Sequence, residues 1–250
     1  METRFLLPLA PSDARRLAPY LPSGLIAADE ADGPARAEAE MKRLLLAQRL
    51  QPGQKVSLDD IAANLSMSRT PVREALRRLE IQGFVVALPN RGFVIRRIDA
   101  AEMTQLFEAR RCIEGFAAAD TAARRSTALL DELVHLQATY EQVLTAAPDR
   151  RRLGMLADKA FHMRIVEQTG NSFLIDLLSN LFDRLIFTRP LHGFPLTRMA
   201  EAISEHEAIM TAPERGNPEQ ARDAILRNIA AGSVSIIEHL KELEASSIAI

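Results

Sequence analysis

Residues 58–80 carry two helical repeats separated by a two-residue break, a pattern that few folds accommodate. Leu58, Ile61, Ala62 and Leu65 fall at helical spacing, and Ser66-Met67 reads as a turn. A second helix starts near Ser68, with Pro71 in its first turn, where a missing N–H costs nothing. It runs to Glu80, with Val72, Leu76 and Leu79 on its inner face and Arg69, Thr70, Arg73 and Arg77 outside. A short helix, a tight turn and an arginine-bearing helix have the dimensions of a helix-turn-helix whose second member enters the DNA major groove. Ser68 is expected to cap this helix and to bond a phosphate. Arg69, Thr70, Arg73 and Arg77 are the expected DNA contacts, Arg69 or Arg73 suiting a guanine edge. Asp59 reads as an N-terminal charge that favours the dipole of the first helix.

The next segment reads as a two-stranded hairpin. Phe84 to Leu88 is β-rich, Pro89-Asn-Arg-Gly92 is turn chemistry, and Phe93 to Ile95 is β-rich again. A hairpin directly after a recognition helix is a wing, which places Asn90 and Arg91 at its tip, within reach of phosphate or the minor groove. Upstream, residues 35–50 form a helix on Ala37, Met41, Leu44 and Leu45, ended by Pro52-Gly53. The run Ser-Met-Ser-Arg-Thr-Pro-Val-Arg-Glu-Ala-Leu-Arg-Arg-Leu, residues 66–79, followed by Pro89-Asn-Arg-Gly92, resembles the winged-helix domain of the GntR family of bacterial transcription regulators. The resemblance spans about residues 35 to 97 and implies a double-stranded DNA operator as partner.

The net charge of −2 argues against nucleic acid, but its distribution reverses the argument. Residues 35–98 hold 12 Lys/Arg against 6 Asp/Glu, whereas residues 99–250 hold 16 against 22. A basic unit that meets phosphate is thus joined to an acidic one with another task. With 250 residues and a hydrophobic fraction of 47%, two packed domains are expected rather than disorder. The single cysteine, Cys112, excludes an intramolecular disulfide and reads as a small apolar core residue. No apolar run approaches the ~18 residues that span a membrane, and Phe5 to Leu9 is too short for a signal peptide, so a soluble cytoplasmic protein is expected.

From Asp99 onward the pattern is helical throughout, with segments at about 100–123, 127–146, 150–168, 172–188, 197–212 and 218–245. Asn217 followed by Pro218 reads as an N-cap and first helical residue. Phe161, Phe173, Phe182 and Phe187 read as core. The expected fold class is mainly α: an N-terminal winged helix-turn-helix with a small β-hairpin wing, then an all-α bundle able to enclose a pocket. The expected divisions are an N-terminal arm at 1–33, poorly ordered or partly helical, a DNA-binding domain at 34–98 and a helical domain at 99–250.

Asp158-Lys-Ala-Phe-His162 sets a carboxylate and an imidazole four residues apart on one helix face, and His206 also falls on an apolar side. Such a set is either a core histidine satisfied by a carboxylate or a site for Zn²⁺, Ni²⁺ or Mn²⁺. The segment from Asp158 to Asn171, with Glu205-His206, resembles the FCD domain, the helical effector-binding domain of the FadR-type branch, and the six helices match its VanR-like variant. This resemblance covers about residues 101–243. It implies Asp158, His162 and His206 as ligands of a divalent cation. The position where the family usually has a further His is Asn228, a weaker ligand for Zn²⁺ or Ni²⁺. Three readings follow: a weak site, a site for a harder ion such as Mn²⁺, or no ion, with Asn228 bonding an effector directly. Arg110 matches a position that often faces the effector, and either forks onto a ligand carboxylate or pairs with Glu114 one turn on. Arg111, about 100° away, reads as solvated.

Together these features lead to the expectation of a homodimeric transcription regulator, a repressor in the first instance, whose operator affinity responds to a small carboxylate. Two alternatives compete: a metal-dependent hydrolase built on Asp158, His162 and His206, and an effector-independent DNA binder. The hydrolase lacks a placed general base and leaves the DNA-binding head without a purpose.

Overall fold

The computed structural model describes residues 11–22, 33–47, 49–89, 92–124, 127–146, 149–188, 195–214 and 217–248. These separate into two units: Leu21–Ile98 with 182–188, and 11–20 with Asp99–Leu181 and 195–248. The fold class is as expected, mainly helical with one small antiparallel sheet.

The first unit holds α2 (Gly33–Leu46), β1 (Lys55–Val56), α3 (Leu58–Asn64), α4 (Arg69–Ile81), β2 (Val85–Leu88) and β3 (Gly92–Ile95). Helix α2 packs on α4. Ala37, Met41 and Leu45 from one, with Val72, Ala75, Leu76 and Leu79 from the other, are buried. Each larger aliphatic among them contributes about 1.5–3 kcal/mol through burial. Ser57 caps α3: its hydroxyl accepts from Asp60 N–H at 3.0 Å and donates to the Asp60 carboxylate at 2.6 Å. Ser66 takes a left-handed φ of 52° in the turn to α4.

The wing is a three-stranded sheet in the order β1-β3-β2, with Val85 opposite Ile95 and Lys55 opposite Val94. Strand β1 was not expected from the sequence, because two residues are too few to show an alternation. Gly92 turns the chain into β3 at φ 82°, and a Cβ there would lie 2.6 Å from the Val56 carbonyl oxygen. Both the conformation and the closeness to β1 demand glycine. Gly92→Ala is expected to destabilise this unit by about 1–3 kcal/mol, seen as a lower urea midpoint; an unchanged midpoint would refute the packing described. Asn90 and Arg91, the expected wing tip, lie outside the described residues.

The second unit holds α1 (Pro11–Leu17), a 3-10 turn (Ala18–Tyr20), α5 (Ala100–Arg124), α6 (Thr127–Ala146), α7 (Arg150–Glu167), α8 (Ser172–Thr188), α9 (Leu196–Glu214) and α10 (Pro218–Ile248). Of α8, only residues up to Leu181 belong here. All six expected helices are present. Helix α7 is buried around most of its circumference, as the centre of a bundle must be. Asn217 caps α10, its side-chain oxygen accepting from Glu219 and Gln220 N–H at 3.1 Å each.

The N-terminal arm carries helix α1, which packs on α7 with Leu17 buried and the Tyr20 hydroxyl donating to Glu167 at 3.2 Å. Two details differ from the sequence expectations. Cys112 is exposed, because two residues past Arg110 is about 200° around the helix from the buried Arg110–Glu114 face. Phe173 is 79% exposed, pointing away from the face that buries Leu178 and Phe182, whereas Phe161, Phe182 and Phe187 are core.

Candidate DNA interface and metal centre

Helix α4 presents Ser68, Arg69, Thr70, Arg73 and Arg77 to solvent while burying its opposite side. Ser68 occupies the N-cap position, but its side chain makes no cap hydrogen bond, which corrects the expected capping role. The hydroxyl is thereby left for an outside acceptor such as phosphate. Asp59 pairs with Arg69 across the turn at 3.0 Å, so it acts as more than a dipole charge. Both side chains are over 60% exposed, so the pair contributes little stability and yields readily to a phosphate. Glu74 pairs with Arg78 at 2.6 Å rather than with Arg73.

The second site is assembled by five helices. Asp158 and His162 come from α7, His206 from α9, Arg110 and Glu114 from α5, Gln137 and Tyr140 from α6, and Asn228 from α10. One ligand atom each from Asp158, His162 and His206 lies within 4.8 Å of the others. Both imidazoles are sealed, while Asp158 keeps 29% of its side chain accessible.

Each imidazole is oriented through Nδ1. Gln137 donates its amide hydrogens to Glu141 at 3.0 Å and to the Ile203 carbonyl at 3.3 Å. Its oxygen is thus the acceptor for His206 Nδ1–H at 2.9 Å. Phe161 stacks on the His206 ring at 4.0 Å and 9°. His162 Nδ1 donates to Glu114, a fully buried carboxylate that also accepts from Arg110 Nε at 2.7 Å. Of the two readings of Arg110, the geometry therefore shows the pair with Glu114. Burial would raise the Glu114 carboxyl, but Arg110 and His162 outweigh it and hold it below the usual range.

With each Nδ1 hydrogen committed to its acceptor, the two Nε2 atoms are the ring positions left to meet Asp158. They face Asp158 Oδ1 at 3.4 Å from His206 and 3.8 Å from His162. Burial would raise the Asp158 carboxyl, yet His162, His206 and Arg110 keep it well below the carboxylate range. Burial in turn pushes His206 down, toward the neutral ring. His206 Nε2 is buried with no hydrogen-bond partner among the described residues. As neutral rings, the two imidazoles and the Asp158 carboxylate form a donor set suited to a cation. Metal bonds of ~2.1 Å at tetrahedral angles set ligand atoms ~3.4 Å apart; the Asp158 oxygen stands 3.4 Å from His206 and 3.8 Å from His162. The residues fit a divalent ion, with Gln137 and Glu114 as the outer partners that fix tautomer and ring orientation. Asn228 is buried, and its Nδ2 donates to Glu205 at 2.7 Å.

Sequence reasoning found the three ligand candidates and missed the orienting role of Glu114 and Gln137. Glu114 had a signal in its spacing from Arg110. Gln137 had none, since only the crossing of α6 and α9 brings it to His206.

The comparisons with known proteins agree with the two-part fold. Residues 35–95 match the family described as bacterial regulatory proteins, gntR family, and residues 105–231, half of the chain, match the FCD domain. The chain is a GntR-family regulator with an FCD domain. GntR regulators bind DNA and FCD domains bind small-molecule effectors, so the hydrolase alternative falls with the family assignment. The Nta operon transcriptional regulator of Aminobacter aminovorans is 30% identical over 58% of this chain and 68% of its own. A probable D-xylose utilization operon transcriptional repressor of Paenarthrobacter nicotinovorans is 29% identical over 73% of this chain and 79% of its own. The solved structure of E. coli McbR/YncC shares the fold, with TM-score 0.68 and 20% identity over 84% of this chain and 98% of that one. No helix among the described residues of this GntR regulator is long and apolar enough to cross a membrane.

Proposed function

We propose that this GntR regulator is a cytoplasmic, homodimeric repressor whose operator affinity is set by a small carboxylate bound at a divalent cation on Asp158, His162 and His206. The observation that carries the reading is the buried His206 Nε2, which has no hydrogen-bond partner among the described residues and faces Asp158 inside the domain that the family uses for effectors. Open positions on a three-ligand ion suit carboxylate oxygens. Repression is supported by the Paenarthrobacter nicotinovorans relative, a probable operon repressor. On the DNA side, Ser68, Arg69, Thr70, Arg73 and Arg77 of α4 meet the major groove, and Asn90 and Arg91 the adjoining phosphates or minor groove.

Two experiments on the full chain test this, both using an operator selected from randomised duplexes. Arg73→Ala is expected to lose about 1–3 kcal/mol of operator binding by fluorescence anisotropy, with discrimination relaxed at one base pair. An unchanged affinity would remove Arg73 from the interface. A carboxylate that occupies the metal-loaded site is expected to weaken operator binding about 5–150-fold. Site occupancy without any change in operator affinity would refute the regulatory reading.

A further inference from the structure

We infer that Arg198 is the anchor for an anionic group of the effector, and that Glu205 holds its place until the effector arrives. This rests on the proposed reading that the bundle binds a carboxylate, and it names a residue and a ligand shape for that site. Arg198 opens α9 and is 9% exposed. Its Nη2 donates to Glu205 Oε2 at 2.6 Å. Its Nη1 is buried and makes no hydrogen bond among the described residues, the Glu201 carboxylate standing 3.6 Å away.

A guanidinium is a planar fork made to meet two oxygens at once. Glu205 serves one tine only, and the same Oε2 also accepts from Asn228 Nδ2 at 2.7 Å. A buried donor without a partner is unfavourable, so an incoming carboxylate that satisfies both nitrogens has an advantage over Glu205. Arg110 offers no such opening, since its Nε is committed to the buried Glu114 that orients His162.

Arg198, Ala202, Glu205 and His206 share one face of α9. Tyr140 lies beside both ends of it: its ring is 5.3 Å from that of His206, and its hydroxyl donates to the Met199 carbonyl at 2.8 Å, one residue past Arg198. Asp158 and Glu205 keep 29% and 26% of their side chains accessible. A ligand that uses both features is a short diacid or hydroxy-diacid. One carboxylate completes the coordination of the ion, and the other takes the Arg198 fork. Displaced, Glu205 releases Asn228 and with it a tie to α10.

The test uses the full chain loaded with Zn²⁺, titrated calorimetrically with malonate, succinate, citrate and the neutral succinamide. At least one diacid is expected to bind and succinamide to fail. Arg198→Gln is expected to weaken that diacid tenfold or more while keeping its zinc. Arg198→Lys should recover part of the loss, because a point charge replaces a fork. Glu205→Gln should bind the diacid several-fold more tightly, because an internal competitor is gone; a purely structural Glu205 would give unchanged or weaker binding. Unchanged diacid affinity in Arg198→Gln, or no gain in Glu205→Gln, would overturn this inference while leaving a carboxylate site intact. Zinc binding with no affinity for any of the three acids would overturn the carboxylate reading and this inference together. Should Arg198→Gln fail to fold, the Arg198→Lys and Glu205→Gln results decide.

Discussion

Glu114→Gln is expected to lower the stability of the bundle by about 3–5 kcal/mol, because it removes the buried carboxylate that Arg110 and His162 both meet. The side chain is fully buried and bridges Arg110 and His162, so the loss cannot be made up by water. Thermal unfolding followed by far-UV circular dichroism reads the effect. The double variant Arg110→Met/Glu114→Leu separates two roles. Removing both charges together should restore much of the stability, since a buried pair often adds little over apolar residues of similar size. Metal affinity should nevertheless stay about 10–100-fold down, because His162 loses the acceptor that orients its ring. A Glu114→Gln protein as stable as the parent would contradict the buried ion pair.

Divalent metal gives the second large effect. Zn²⁺ at about a thousand times its dissociation constant should stabilise the chain by about 4 kcal/mol, because it binds the folded site and not the unfolded chain. For a domain of this size that corresponds to a rise of roughly 8–16 °C in the melting temperature. The rise should vanish in His206→Ala. Mn²⁺ and Ni²⁺ measured in parallel rank the ions, and a preference for Mn²⁺ would reflect Asn228 standing where an imidazole is usual. A melting temperature indifferent to all three ions would mean that the lone pairs of His162 and His206 are satisfied in some other way.

What could be read from the sequence follows from the range over which each signal acts. The six bundle helices and the two of the helix-turn-helix repeat every 3.6 residues over many turns, so their periodicity exposes them. Helix α1 is seven residues long and sits among prolines, and β1 is two residues long, so neither develops a period. The same holds in the site. Asp158 and His162 are one turn apart on one helix, which makes their meeting a matter of helix geometry. The meeting of His206 with Gln137, and of Arg198 and Asn228 with Glu205, depends on how helices cross, which spacing along the chain does not encode. The Asp59–Arg69 pair is invisible for the same reason, since the turn at Ser66 determines it. Cys112 and Phe173 show the converse: an apolar residue type predicts burial only when its angular position on the helix agrees.

The proposed effector response depends on an ion held by Asp158, His162 and His206. Elemental mass spectrometry of the full chain, purified without chelators or an affinity tag that binds metal, tests it most directly. About one divalent ion per chain is predicted, lost in both His162→Ala and His206→Ala. No bound ion, even after incubation with Zn²⁺, Ni²⁺ and Mn²⁺, would contradict it.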